Sequence, residues 1–137
     1  MATGREKLLN LQKIGQLKAE PSAASEISGL IRAAENRLRD ALNKSNTVDS
    51  RFSLADDAAH SLALAALRTQ GYRSENRLIV FELLPVTLAF SLGKARFLHD
   101  CHRKRNVMLY DGDLIEDEPL VAELIAVAKE IHAAITA

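Results

Sequence analysis

Cysteine occurs once, at Cys101, so no disulfide can form within the chain. Tryptophan is absent, and two tyrosines and four phenylalanines are the whole aromatic complement. Because the remaining apolar residues are mostly Leu, Ala and Ile, helices are well supplied and sheets are not. Six glycines and three prolines are too few for the turn-rich spacing of a sandwich or barrel. No apolar run approaches the roughly 18 residues that span a bilayer, so no membrane partner is expected. The opening residues, Met1-Ala2-Thr3-Gly4-Arg5-Glu6-Lys7, meet charge at once and lack the apolar core of a signal peptide. Together these features read as a cytoplasmic, reducing setting. Net charge is missing too, since 18 basic residues balance 18 acidic ones. A nucleic-acid partner would therefore be engaged by a local patch rather than by a whole-molecule basic field. The P-loop, the dinucleotide-binding glycine pattern, zinc-knuckle spacing and the hydrolase serine elbow are all absent, and no cofactor is implied.

What the 137 residues do carry is helical periodicity. Leu8, Leu11, Ile14 and Leu17 form a short stripe, an N-terminal helix or arm within residues 1–20, and a break follows at Pro21. Residues 22–137 are expected to form the bundle of a single domain. Ile27, Leu30, Ile31, Ala34, Leu38 and Ala41 make a strong stripe that Pro21 and Ser22 open, with Arg32, Glu35, Arg39 and Asp40 on the wet side. From Phe52 to Leu67 the chain is Ala- and Leu-rich nearly all round, which suits the middle of a bundle, and Gly71 marks a helix stop. Asp49 or Ser50 is the expected cap there, and Ser74 caps the next helix. Pro85 predicts a kink or break near Leu84. A long helix follows from about Thr87 to Met108, and Asp117-Glu118-Pro119 opens the last one. The expectation is an all-α bundle of five or six mostly antiparallel helices, the two longest near residues 22–44 and 87–108.

Two stretches resemble the HEPN domain, a small helical module of many prokaryotes. One runs from Ser50-Arg51-Phe52 through the Ala-rich helix containing His60 to Gly71 and Tyr72. The other is Arg103-Lys104-Arg105-Asn106-Val107-Met108-Leu109-Tyr110, followed by an acidic loop and a last helix. It is similar to the family's arginine-asparagine, three residues, tyrosine pattern, and the resemblance covers roughly residues 25–135. Catalytic members are metal-independent ribonucleases whose motif pairs an arginine with a histidine four to six residues on. The resemblance places that arginine at Arg105 and puts Tyr110 at the histidine position. A phenol with a pKa near 10 is a poor proton shuttle at neutral pH, where an imidazole near 6.5 is a good one. Cleavage is thus less expected than binding. Arg96 and His102 also fit the literal spacing, but a six-residue offset turns them about 240° apart on one helix.

Several residues admit two readings. Lys94, Arg96, His99, His102, Arg103, Lys104 and Arg105 form the one basic stretch, read either as a phosphate-contacting face or as a solvated helix end favoured by the dipole. His99 and His102 lie one turn apart but lack a clear third ligand, so no metal site is assigned. His60 is either a core histidine or part of the site, with Asp56 placed one turn earlier to orient its ring. Cys101 has basic neighbours that can lower a thiol pKa, yet no base accompanies it.

The site expected from sequence is therefore Arg105, Tyr110 and His60 for any catalysis, and Arg105, Asn106, Arg103, Lys104 and His102 for binding. The resemblance implies a protein that binds RNA, a nucleotide or a minimal nucleotidyltransferase, in a toxin-antitoxin or accessory role. It also implies a homodimer pairing the Arg105-to-Tyr110 segments. The alternatives are an active ribonuclease with His60 or His102 as base, and a helical interaction domain without nucleic acid.

Overall fold

Local cap chemistry sets where each helix begins. In the computed structural model, which describes residues 3–137, Thr3 and Glu6 form a reciprocal capping box that starts α1, Gly4–Lys13. A two-residue strand β1, Lys18–Ala19, leads to α2, Ala24–Leu42. Ala23 offers no side-chain cap there, so Pro21 and Ser22 lie ahead of the helix rather than opening it. The hydroxyl of Thr47, not Asp49 or Ser50, accepts from the Ser50 backbone N–H and starts α3, Val48–Thr69. Gly71 follows it in the left-handed region at φ 83°, a conformation that glycine adopts without steric cost. Strand β2, Tyr72–Arg73, pairs antiparallel with β1, Lys18 opposite Arg73, a contact with no alternating sequence to announce it.

The carboxamide of Asn76 caps α4, Arg77–Glu82, where Ser74 was expected. As expected, Pro85 breaks the chain's helical path: α4 ends at Glu82 and a single turn, α5, runs Leu84–Thr87. Ser91 then caps α6, Leu92–Asp111, which stops at Gly112 in the left-handed region. Asp117 caps α7, Glu118–Thr136, with Pro119 in its first turn.

Seven helices thus stand among the described residues, about 74% of which are helical. The break at Pro85 accounts for the number above five or six. The longest helix is α3 with 22 residues, followed by α6 with 20, which corrects the expectation that α2 would be among the two longest. Helix α3 extends beyond its Phe52–Leu67 run at both ends, where Arg51 and Arg68 are held by partners from other elements.

The core gathers around α3. Ala55, Ala58, Ala59, Ala63 and Ala65 are fully or almost fully buried, and these small side chains let α2, α7, α4 and α6 approach closely. Phe52, Leu62, Leu67, Phe81, Leu84, Leu98, Leu124 and Ile131 fill the space between them. Two buried arginines tie the ends of α3 to the rest. At its start Arg51 donates to the Ala41 carbonyl at 2.7 Å and to Glu118 at 2.6 Å. At its end Arg68, 1% exposed, donates to the Glu20, Pro21 and Tyr72 carbonyls and to both oxygens of Glu26. No helix among the described residues is long and apolar enough to cross a membrane.

Candidate functional site

Residues i, i+3 and i+4 of a helix share a face. On α3 that rule groups Asp56 with His60, and on α6 it groups His102 with Arg105 and Asn106. The packing of α6 and α4 against α3 brings both groups, with Asp57 and Arg77, into one polar cluster inside an otherwise apolar interface.

Asp56 is its centre and has no solvent exposure. Its Oδ2 accepts from His102 Nδ1 at 2.9 Å, and stands 3.5 Å from Arg77 Nη1 and 3.7 Å from Arg105 Nε. Asp57, a quarter exposed, meets both guanidiniums on one oxygen: Arg77 Nη1 at 2.7 Å and Arg105 Nη2 at 3.2 Å. With Nδ1–H given to Asp56, the His102 Nε2 is left as an acceptor, and Asn106 Nδ2 lies 3.5 Å from it. Phe81 presents ring edges to His60 and His102, at centroid distances of 6.1 and 6.2 Å.

Three buried polar atoms of the cluster have no hydrogen-bond partner: Asp56 Oδ1, His60 Nε2 and Arg105 Nε, whose 3.7 Å contact with Asp56 is too long for one. The His60 pKa is pushed down to about 4, first by burial and then by the nearby Arg77 charge. Its ring is therefore neutral at pH 7.

The sequence-expected residues fall into two groups. His60, His102, Arg105 and Asn106 meet in the cluster. Arg103, Lys104 and Tyr110 do not; they are exposed, Tyr110 to 85%. Five positions along a helix turn Tyr110 about 140° from Arg105, so the two point to different sides of α6. Arg103 and Tyr110, seven positions apart, share the outer side, with Val107 between them. Arg103, Lys104, Val107, Asp113, Leu114 and Ile115 line a recess of about 340 Å³ there.

Of the two readings of the basic stretch, neither a solvated helix end nor a free phosphate-contacting face describes Arg105. It is instead four-fifths buried and paired with two carboxylates. Asp56 orients His102 rather than His60. The basic stretch is not one face: Lys94 pairs with Glu130 and His99 with Glu82, while Arg96 and, at the far end, Arg103 and Lys104 have no carboxylate partner among the described residues. Cys101 is fully buried, and burial followed by the nearness of Asp56 pushes its thiol up to about 12, the opposite of activation. Among the described residues no three His, Cys, Asp or Glu side chains converge as metal ligands.

Arg77 was missed. Two adjacent aspartates in an Ala- and Leu-rich helix do signal that cations must meet them, because unpaired buried carboxylates are costly. Which cations supply the pairing depends on how α4 crosses α3, and that is not written locally.

The fold and cluster define an all-α protein with a polar site buried between three helices. No family model, curated protein or solved structure matches the chain.

Proposed function

We propose that this chain is a HEPN-like bundle that binds RNA along the outer side of the last turns of α6, without strong cleavage. One observation carries the reading: Arg103, free of carboxylates, shares the exposed outer side of α6 with the Tyr110 ring, and Lys104, also free of carboxylates, lines the adjoining recess with Arg103. Free cations beside an exposed aromatic are what single-stranded RNA needs, the cations for its phosphates and the ring for stacking a base. Arg105 and Asn106, partly exposed next to them, extend the contact toward α3. The resemblance of Arg105-Asn106 and Tyr110 to the HEPN pattern points the same way.

Weak catalysis follows from protonation and access. His102 is 7% exposed and its Nδ1 is committed to Asp56. His60 is a neutral and very weak base. Tyr110 is exposed, but a phenol is a poor proton shuttle at neutral pH. Two copies meeting at the recess beside Val107 and Leu114 would double the cations in one groove, which favours a homodimer over a nucleotidyltransferase at this face.

Fluorescence anisotropy with a labelled single-stranded RNA, in EDTA and low salt, tests the reading. Tyr110→Ala is expected to weaken binding about tenfold, the usual worth of one stacked base. Arg103→Ala with Lys104→Ala should weaken it further while leaving the circular dichroism unchanged. Unaltered affinity in both variants would refute the assignment. The ribonuclease alternative draws on one feature, a carboxylate-held His102 beside Arg105. It requires RNA cut in EDTA and protected by His102→Asn; intact RNA sets it aside.

A further inference from the structure

We propose that Arg77 and Arg105 form a two-arginine clamp for one RNA phosphate, and that Asp57 occupies this clamp in the free protein. The inference rests on the RNA-binding reading and adds to it a binding residue, Arg77, and an internal competitor for the phosphate.

The geometry is that of an anion site already filled. Two guanidiniums from different helices converge on a single oxygen, Asp57 Oδ1, at 2.7 and 3.2 Å. Planar guanidinium forks fit a carboxylate and a phosphate by the same hydrogen-bond geometry, so the carboxylate can stand where a phosphate oxygen would. The clamp opens to the surface: the side chains of Asp57, Arg77 and Arg105 are 25, 30 and 18% exposed. Behind it lies Asp56, fully buried, whose Oδ2 is 3.5 and 3.7 Å from the same two arginines.

That division of labour separates the two aspartates. Asp56 holds the guanidiniums from inside and cannot leave without abandoning His102. Asp57 holds them from the solvent side and accepts from no other donor among the described residues. In formal charge, two arginines balance two aspartates. Displacing Asp57 leaves the clamp one positive charge in excess and facing solvent. A phosphodiester restores neutrality and takes up the vacated donors, Arg77 Nη1 and Arg105 Nη2. The exposed Lys104 is the chain neighbour of Arg105, so one strand can pass from the clamp to it.

The test is a substitution that removes the competitor without removing a cation. Asp57→Asn keeps the shape and deletes the charge. The expected result is RNA affinity raised roughly three- to tenfold in low salt, a gain that misfolding cannot mimic. Arg77→Gln should lower affinity and reduce the slope of log K against log salt by about 0.7, the loss of one phosphate contact on a single strand. Unchanged or weaker binding by Asp57→Asn overturns the clamp. A measurement on the native chain guards against variants that do not fold: side-chain Nε resonances of Arg77 and Arg105 should shift together, with one saturation curve, as RNA is added. Shifts at Arg103 with none at Arg77 would overturn the clamp while leaving the RNA-binding reading intact. If the native chain binds no RNA at all, that reading fails, and inorganic phosphate becomes the probe. Tighter phosphate binding by Asp57→Asn than by the native chain would then uphold the clamp, and equal binding would overturn it.

Discussion

His60 shows how one largely buried side chain sets a pH dependence. Its partly buried ring forms a T-shaped pair with Phe81, burial strips water from it, its Nε2 has no partner, and Arg77 adds positive charge nearby. All of these favour the neutral ring, which is why its pKa falls from 6.5 to about 4. The unfolded chain then binds more protons than the folded one between those values. His60 therefore costs no stability above pH 6.5, and stability drains away as pH falls from there toward 4, by at most about 3 kcal/mol. Urea unfolding at pH 7 and pH 5 should show this loss in the native chain and a smaller one in His60→Gln. Equal losses in both would contradict it. The Glu26 carboxyl, lowered first by its hydrogen bond with Arg68, adds a loss at more acid pH in both chains and cancels from the comparison. At this scale the sequence was a fair guide to membership and a poor guide to pairing. His60, His102, Arg105 and Asn106 could be singled out from their types and places on helices. That Asp56 serves His102 on another helix, and that Tyr110 faces away from Arg105, depends on which sides of α3 and α6 meet.

Between elements, the end of α3 is held by one side chain. Arg68 reaches three carbonyls of the segments around β1 and β2, and a carboxylate of α2. A two-residue ladder has too few hydrogen bonds to persist alone, so this arginine is what keeps it in place. Arg68→Met fits the space but leaves those acceptors without a buried donor. The expected cost is about 3 kcal/mol, or a thermal midpoint lower by roughly 10 °C, with RNA affinity per folded molecule unchanged. A midpoint within two or so degrees of the native chain would mean that water replaces the arginine. The helices themselves were legible where a stripe met a recognisable boundary, as at Gly71, Pro85 and Pro119, whereas the expected span of α6, about Thr87 to Met108, is shifted to Leu92–Asp111. The length of α3 was not legible, since its charged residues break the apolar pattern and become acceptable only through partners far away in sequence. The β1–β2 pairing left no local trace at all.

For the molecule as a whole, 18 basic and 18 acidic residues cancel, so binding of a polyanion must depend on where charges are left unpaired. Ion pairs engage Arg51, Arg68, Arg73, Arg77, Lys94 and Arg105, while Arg103 and Lys104 are among the cations left unpaired, and they stand near Tyr110 in the last turns of α6. Two copies joined at the neighbouring recess would present four such cations. Light scattering after size exclusion should give a mass near twice 15.0 kDa that falls on dilution, and Leu114→Glu should give a monomer at all concentrations. A mass of 15.0 kDa throughout for the native chain would remove the shared groove but not the RNA contact of one copy. The most direct measurement is a salt titration of RNA binding. Anisotropy of a labelled single-stranded RNA in EDTA, from low to physiological salt, should show saturable binding. The logarithm of its association constant should fall linearly with log salt, at a slope of about −0.7 for each phosphate engaged. Absence of saturable binding at low salt, with the protein shown to be folded by circular dichroism in the same buffer, would contradict the account at its centre.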